Sequence, residues 1–279
     1  MSLDAIKSGN TAVITGGASG IGLAAAEHFS SKGMNVVIAD VNEETLSAAL
    51  ATLTDAGGEA SSFVCDVSSD ESVGALADFV AKTYGKTHVL MNNAGTAMNP
   101  GKAWEGLDGW QKLLDINLWG IIRGVQAFVP GMLEHGEPGL VINTGSKQGI
   151  TLPPGSGAYN LSKAGIVAFT QGLAYDLRQV ENCKLTAHLL VPGFTYTGMI
   201  SAFLPEKPPA AWTSEQVVDY MLEKLAKDDF FILCPDNDVT EEMDAKRMEW
   251  QMGDFINRRP ALSRWHPDYE AAFEDFMKT

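Results

Sequence analysis

The chain has 279 residues, of which 45% are hydrophobic and 20% are charged, a composition typical of a soluble globular protein. Acidic residues outnumber basic residues by 35 to 20, so the formal net charge is −15, which argues against nucleic acid and anionic membranes as partners. The sequence also contains no apolar run long enough to cross a membrane.

The amino-terminal segment and the cysteines bear on localisation. Residues 1–13 have neither the basic segment nor the apolar core of a signal peptide. Cys65, Cys183 and Cys234 are far apart and form no C-x-x-C pair, which predicts buried free thiols rather than disulfides or a zinc site. We therefore expect a cytoplasmic protein without a metal site.

Short apolar runs alternate with helical patterns along most of the chain. Strands are predicted at 11–16, 35–40, 60–67, 87–95, 139–146, 184–193 and 230–235. Helices are predicted at 22–33, 43–57, 71–85, near 108–134, from Tyr159 toward Val180, and at 213–227 with Thr213 as N-cap. Because the strands are apolar on both faces and separated by helices, they predict a doubly wound parallel sheet in a three-layer α/β/α fold.

The pattern changes towards the carboxyl terminus. We expect one catalytic domain over 1–235, with a substrate lid at about 194–227, and a partly helical tail over 236–279. Because exposed aromatic rings are unfavourable in water, we expect the tail to pack against the lid of its own subunit or in a two-fold interface. Its rings belong to Trp250, Phe255, Trp265, Tyr269, Phe273 and Phe276.

The segment TGGASGIG, at 15–22, joins the first predicted strand to the first predicted helix. Its spacing suits a dinucleotide, because Gly16 permits a sharp turn, Gly20 lets a pyrophosphate approach the backbone, and Gly22 lets helix and strand pack closely. Free N–H groups and the helix dipole then favour the phosphates. Many strand-to-helix turns contain glycine, so a purely structural turn remains open as an alternative.

Acidic residues follow the next two predicted strands. Asp40 lies 18 residues after Gly22, where a carboxylate accepts the ribose hydroxyls of adenosine and repels a 2′-phosphate. No Arg or Lys stands at positions 17, 18 or 41, so the sequence favours NAD over NADP. An alternative in which Asp40 only caps the following helix stays open. Asp66 ends the third predicted strand, near the expected adenine edge.

The segment SGAYNLSKAG, at 156–165, places Tyr159 and Lys163 four residues apart and so on one face of a helix. An ammonium one turn from a phenol favours the phenolate and lowers its pKa from about 10, which would let Tyr159 exchange protons near neutral pH. Taken alone, the pair also fits a solvated helix face on which the lysine stem covers the ring.

The glycine loop, NNAG at 92–95, Ser146, the Y-x-x-x-K pair and PG at 192–193 occur in this order. Together they resemble the short-chain dehydrogenase/reductase family, in its shorter soluble branch, over roughly 10–200. The resemblance implies a one-domain Rossmann fold that binds NAD(H) or NADP(H) at the carboxyl ends of its strands. It also implies a homo-oligomer, a dimer or tetramer, acting on a small alcohol or ketone.

The resemblance implies four catalytic residues. Tyr159 corresponds to the acid/base, Lys163 to its helper and a ligand of the nicotinamide ribose, and Ser146 to the hydroxyl that orients the carbonyl. Asn117, within LLDINLWG at 113–120, corresponds to the residue that holds a water between Lys163 and solvent.

The resemblance also implies a set of cofactor contacts in which Thr195 replaces the usual aliphatic residue. The set consists of Gly16, Ser19, Gly20, Ile21, Gly22, Asp40, Asp66, Val67, Asn93, Gly95, Tyr159, Lys163, Pro192, Gly193, Thr195 and Thr197.

The segment 145–157 is expected to line the substrate pocket. Lys147 within it either meets an acidic group of the substrate or, as we favour, points into solvent. The residues suited to an apolar lid follow the PG pair and are Tyr196, Met199, Ile200 and Phe203.

Two classes of function remain. One is an NAD-dependent alcohol dehydrogenase or carbonyl reductase, and the other is a catalytically silent dinucleotide-binding protein with a regulatory or scaffolding role. The four catalytic residues are all present, which favours the enzyme.

Overall fold

The seven predicted strands form one parallel sheet in the computed structural model, which describes residues 2–201 and 204–278. Their order across the sheet is β3-β2-β1-β4-β5-β6-β7, the order of a Rossmann-like doubly wound fold with one strand added at the edge. The strands are β1 (Thr11–Thr15), β2 (Asn35–Asp40), β3 (Ala60–Val64), β4 (Val89–Asn92), β5 (Gly139–Thr144), β6 (Leu185–Val191) and β7 (Phe231–Leu233).

Helices cover both faces of the sheet, as the alternating pattern predicts. They are α1 (Gly20–Ser31), α2 (Glu43–Asp55), α3 (Asp70–Tyr84), α4 (Leu107–Leu114), α5 (Gly120–His135), α6 (Gln148–Thr151), α7 (Gly157–Gln179), α8 (Gly198–Ser201), α9 (Ser214–Ala226), α10 (Glu241–Ile256) and α11 (Glu270–Lys278). Among the described residues, no helix is both long and apolar enough to cross a membrane.

Each strand supplies side chains to two separate cores, because successive residues of a strand point to opposite faces. In β1, Ala12 and Ile14 pack with α1, α2 and α9, whereas Val13 packs with α3, α5 and α7. Burial on both faces explains why the strands read as nearly continuous apolar runs in the sequence.

The strands end earlier than their apolar runs predict. β3 ends at Val64 and β5 ends at Thr144, so Asp66, Val67 and Ser146 lie beyond the sheet. The prediction that Asp66 ends the third strand is therefore wrong. Periodicity cannot detect these ends, because the apolar run continues after the last hydrogen bond of the ladder.

The predicted lid contains two helices, α8 and α9. Thr213 is the N-cap of α9, as predicted, and it forms a reciprocal capping box with Gln216. Tyr196 donates a hydrogen bond to the carbonyl of Pro205, at 2.8 Å, which ties the lid segment to itself. Phe203 lies outside the described residues.

The tail forms α10, two 3₁₀ turns and α11. Trp250 of α10 is buried, and its ring lies 5.4 Å from that of Phe273 and 5.3 Å from that of Phe276, both on α11. The expectation of buried aromatic rings holds for Trp250, but Phe255 remains 73% exposed on this chain.

Candidate active site

A cleft of about 1260 Å³ opens at the carboxyl ends of the strands, around the adjacent ends of β1 and β4. Ligands of doubly wound folds bind at this switch point. Of the predicted site residues, Gly22 and Asn117 lie behind the wall of the cleft. The others line it, namely Gly16, Ser19, Gly20, Ile21, Asp40, Asp66, Val67, Asn93, Gly95, Ser146, Tyr159, Lys163, Pro192, Gly193, Thr195 and Thr197.

The loop between β1 and α1 has the geometry of a phosphate cradle. Gly16 and Gly20 have φ of 63° and 54°, a region that favours glycine. A Cβ on Gly22 would lie 2.1 Å from the carbonyl oxygen of Gly16, so only glycine permits this packing. Ser19 is the N-cap of α1, yet its side chain makes no capping bond. The free hydroxyl, the first N–H groups of α1 and the helix dipole all suit a pyrophosphate.

Asp40 lies at the end of β2, beside the glycine loop. Its carboxylate accepts hydrogen bonds from the backbone N–H groups of Ala18 and Asn42, each at 3.3 Å. The N-cap of α2 is Asn42, whose side chain accepts from the N–H of Thr45 at 3.0 Å. The alternative in which Asp40 only caps the helix is therefore wrong.

Asp66 and Asn93 fix two further parts of the cleft. Asp66 accepts hydrogen bonds from the backbone and hydroxyl of Ser68, and these lower the pKa of its carboxyl group. Asn93 donates to the carbonyl of Gly16 at 3.2 Å and accepts from the hydroxyl of Thr144 at 3.3 Å. Asn93 thus joins the glycine loop to the end of β5.

Tyr159, Lys163 and Ser146 meet on the opposite side of the cleft. Lys163 is buried on α7, donates to the carbonyl of Thr144 at 2.9 Å, and has its Nζ 5.6 Å from the centre of the Tyr159 ring. Ser146 lies close enough to the Tyr159 hydroxyl to act on the pKa of the phenol. The structure therefore brings three of the four predicted catalytic side chains together.

The protonation of this group differs from the prediction. Burial raises the pKa of Tyr159, and the nearby Ser146 hydroxyl lowers it by less. Burial also lowers the pKa of Lys163 to about 8. The predicted lowering of the Tyr159 pKa by Lys163 is wrong for this structure, because the ammonium is directed at Thr144 and burial disfavours charge on both residues.

Asn117 occupies a π-helical turn, Asp115–Trp119, that interrupts the predicted helix between α4 and α5. Its side chain donates to the carbonyl of Thr96 at 2.9 Å and to the Ser162 hydroxyl at 3.3 Å, and accepts from the N–H of Thr96 at 2.8 Å. Such bulges re-aim side chains and are frequent at functional sites. Asn117 holds the segment after Gly95 in place, and its predicted contact with a water stays a prediction.

Lys147 does not point into solvent. Its ammonium forms an ion pair with Asp244 of α10 and lies 3.8 Å from a carboxylate oxygen of Asp236. The expectation of a solvated lysine is wrong because its partners, about 90 residues further along the chain, are near it only in the folded state.

Sequence reasoning also missed part of the lining. Met98 faces the cleft, and no sequence pattern pointed to it. Gln148, within the segment 145–157 that is expected to line the pocket, and Phe194, at the start of the expected lid, face the cleft as well. Within 2–201 and 204–278, the structure contains no group of three or more His, Cys, Asp or Glu residues that could hold a metal ion.

The sheet order, the glycine cradle and the position of the cleft define a Rossmann-like nucleotide-binding protein. The sequence model of the short chain dehydrogenase family matches residues 10–207, and the chain belongs to this family of oxidoreductases.

Relatives of known identity support this assignment. The chain is 33% identical to 3beta-hydroxysteroid dehydrogenase 2 of Eggerthella lenta over 195 residues, which are 70% of this chain and 74% of that protein. It is similar to a short chain dehydrogenase/reductase of Burkholderia phymatum in complex with NAD, with a TM-score of 0.82, 32% identity, and coverage of 91% and 96% of the two chains. It is also similar to a metagenomic short-chain oxidoreductase in complex with NADP, with a TM-score of 0.69, 29% identity, and coverage of 82% and 97%.

Proposed function

We propose that this protein is an NAD(H)-dependent oxidoreductase that transfers a hydride between the nicotinamide and a secondary alcohol or ketone. The observation that carries the proposal is the group formed by half-buried Ser146 and Tyr159 with buried Lys163, which faces a cleft whose other side is a glycine cradle. A binding protein without catalysis would have no need of a phenol that faces the cleft beside a buried lysine.

The lining of the cleft suggests how a dinucleotide would be held. Asp40 would accept the ribose hydroxyls of adenosine, Asp66 and Val67 would border the adenine, and the loop from Gly16 to Gly22 would hold the pyrophosphate. The remaining contacts would surround the nicotinamide and its ribose, from Asn93, Gly95, Tyr159, Lys163, Pro192, Gly193, Thr195 and Thr197.

When bound, the cofactor supplies or accepts the hydride. In reduction, the Tyr159 hydroxyl donates a proton to the substrate oxygen, and in oxidation it takes that proton back. Ser146 donates a hydrogen bond to the same oxygen and so stabilises negative charge as it develops. Lys163 lies one helical turn from Tyr159, with its Nζ 5.6 Å from the centre of the phenol ring, and would bring a positive charge to that side of the cleft.

The residues that line the cleft favour one cofactor and one kind of substrate. Asp40 favours NAD(H), since a 2′-phosphate would meet a carboxylate that already lies against the glycine loop. Met98, Phe194, Met199 and Ile200 give the substrate side an apolar surface, which suits an apolar secondary alcohol. The hydroxysteroid dehydrogenase relative, by its name, acts on substrates of this kind.

Organisation and location are further parts of the proposal. We propose one catalytic domain over 1–235 with the tail packed on it, in a cytoplasmic homo-oligomer. The exposed apolar side chains of Trp119 and Leu161, each 50% exposed, suit a contact between subunits.

The test is turnover with a panel of apolar secondary alcohols and NAD, and with the matching ketones and NADH. Tyr159→Phe removes one hydroxyl, so its kcat should fall by about 10²–10⁴-fold while the NADH Kd stays within about threefold. Tyr175→Phe, on the exposed side of the same helix, is the matched control and should keep the wild-type kcat.

Two outcomes would contradict the proposal. Wild-type protein that binds NADH but turns over no member of the panel would point to the silent dinucleotide-binding alternative. A Tyr159→Phe variant that keeps a tenth of the wild-type kcat would show that another group moves the proton.

A further inference from the structure

An ion cluster joins the tail to the loop that carries Ser146. It consists of Lys147, Asp236 and Asp244, which we call the Lys147 cluster. Lys147 follows Ser146 directly, whereas Asp236 begins the tail and Asp244 lies in the first turns of α10. The side chains of Lys147, Asp236 and Asp244 are only 16%, 8% and 9% exposed, so water screens their interaction weakly.

Asp236 extends the cluster to a second wall of the cleft. One of its carboxylate oxygens accepts a hydrogen bond from the backbone N–H of Phe194 at 3.3 Å. The other accepts from the N–H of Val239 at 2.8 Å, which fixes the carboxylate within the turn before α10. Asp236 therefore contacts both Lys147 and the segment that follows Gly193.

The lysine also lies close to that segment directly. A Cβ on Gly193 would lie 2.9 Å from both Lys147 Nζ and the carbonyl oxygen of Cys234, so the glycine lets the ammonium and the backbone before Asp236 approach this segment closely. The backbone N–H of Lys147 donates to the carbonyl of Pro192 at 3.4 Å. The loop that carries Ser146 and the 192–194 segment flank the proposed reacting atoms. They are thus held to each other and, through Lys147 and Asp244, to α10.

Burial makes this arrangement sensitive to the loss of any one partner. Burial raises the pKa of Asp244, and Lys147 opposes that rise. Arg247, one turn further along α10, lies 3.8 Å from the other oxygen of Asp244. Removing Lys147 would leave two largely buried carboxylates without their shared cation, which is unfavourable in a region of low dielectric.

We propose that Lys147, Asp236 and Asp244 are positioning residues that set the orientation of Ser146 and of the 192–194 segment, so that α10 takes part in turnover. This inference rests on the proposed function. It assigns the tail a role beyond covering apolar surface, because the cluster acts on groups that would touch the substrate oxygen and the nicotinamide. A displacement of about 1 Å in such groups reduces turnover by about 10²-fold.

The test compares two buried ion pairs, each of which contains an aspartate of α10. Lys147→Met and Asp244→Asn break the Lys147 cluster. The matched control is Asp254→Asn, which breaks the ion pair between Asp254 and Arg259, where Nε and Oδ1 lie 2.9 Å apart. The Asp254 side chain is also buried, at 6% exposed, but it does not line the cleft. We expect the two cluster variants to lose at least about tenfold in kcat with an NADH Kd within about threefold. The control should lose a similar amount of Tm and keep kcat within about twofold.

A double variant separates positioning from stability. Lys147→Met combined with Asp244→Leu leaves neither of these two charges buried, so its Tm should return towards the wild-type value. Its kcat should stay low, because the ion pair that fastens the Ser146 loop to α10 is then absent. Recovery of kcat together with Tm would overturn the proposal, and so would an equal loss of kcat in Asp254→Asn and Asp244→Asn.

Hydrogen exchange gives a readout that does not depend on turnover. Amides of Gln148–Thr151 and of Phe194 should exchange faster in Lys147→Met and Asp244→Asn than in wild-type protein or Asp254→Asn. Unchanged exchange in these two segments would overturn the inference. If the wild-type protein turns over no substrate, the proposed function fails, and hydrogen exchange alone still decides whether the cluster holds the two segments.

Discussion

The proposed cofactor side and the proposed substrate side of the cleft are built in different ways. On the proposed cofactor side, Asp40 is the last residue of β2, and Gly16 and Asp66 follow β1 and β3. Contacts with nearby backbone fix Asp40 and Asp66, and Gly16 has a positive φ. On the substrate side, Ser146 and Phe194 belong to segments fastened through Lys147 and Asp236 to the tail.

The two sides therefore differ in what can disturb them. The cofactor side depends on backbone conformation, where an added methyl group meets main-chain atoms that cannot move aside. The substrate side depends on charged side chains from distant parts of the sequence, where the loss of one charge leaves others buried and unpaired. Its shape can thus change through substitutions far from Ser146 in sequence, whereas the cofactor side tolerates little change within its own loop.

Breaking the cofactor side should have the largest effect. Gly22→Ala places a Cβ within 2.1 Å of the Gly16 carbonyl oxygen, so the loop must move, at a cost on the order of 3 kcal/mol or more. We expect a lower Tm and an NADH Kd raised by more than about tenfold, measured by fluorescence titration. Gly74→Ala, within α3 and with no atom within 4 Å of the new Cβ, should be neutral or stabilising by about 0.5–1 kcal/mol. Equal effects of Gly22→Ala and Gly74→Ala on Tm and on the NADH Kd would show that close backbone packing in the glycine loop does not shape this side of the cleft.

Lys163 lies where the two sides meet, and its titration should be visible in stability. Its pKa falls from 10.5 in an exposed lysine to about 8 in the folded protein. Between these values the unfolded state binds more protons than the folded state, so the free energy of unfolding rises with pH across this window and is flat below it. Relative to Lys163→Met, the wild-type protein should gain up to about 3 kcal/mol between about pH 7 and about pH 10 in urea unfolding. A constant difference between the two proteins would mean that Lys163 keeps an ordinary pKa.

The smallest expected effect concerns the preference of the protein for NADH over NADPH. Asp40→Ala removes the carboxylate that would face a 2′-phosphate, so the ratio of the NADPH Kd to the NADH Kd should narrow by about tenfold. Asp55→Ala makes the same change in net charge at the exposed end of α2 and should leave the ratio unchanged. Wild-type protein that prefers NADPH would show that Asp40 does not select the cofactor.

Much of the fold and of the candidate site could be predicted from local patterns. Each of the seven strands is an apolar run next to a helical pattern, and burial on both faces of the sheet makes that signal strong. The glycine loop and Asn93 follow β1 and β4, and Asp40 is the last residue of β2, so predicting the strands places all three together at one edge of the sheet. Tyr159 and Lys163 share a helix face, which spacing alone establishes.

The sequence by itself thus determined the α/β class and the position of the cleft, because these depend on short-range periodicity and on which residues follow each strand. Many of the lining residues are implied by the resemblance to the family rather than by periodicity. Only the tertiary structure decided the ends of the strands, the π-helical turn at Asn117, the raised pKa of Tyr159 and the partners of Lys147. Each of these is set by groups that are distant in sequence: burial from several elements shifts a pKa, and a lysine finds its carboxylates only after the tail has folded back onto the domain.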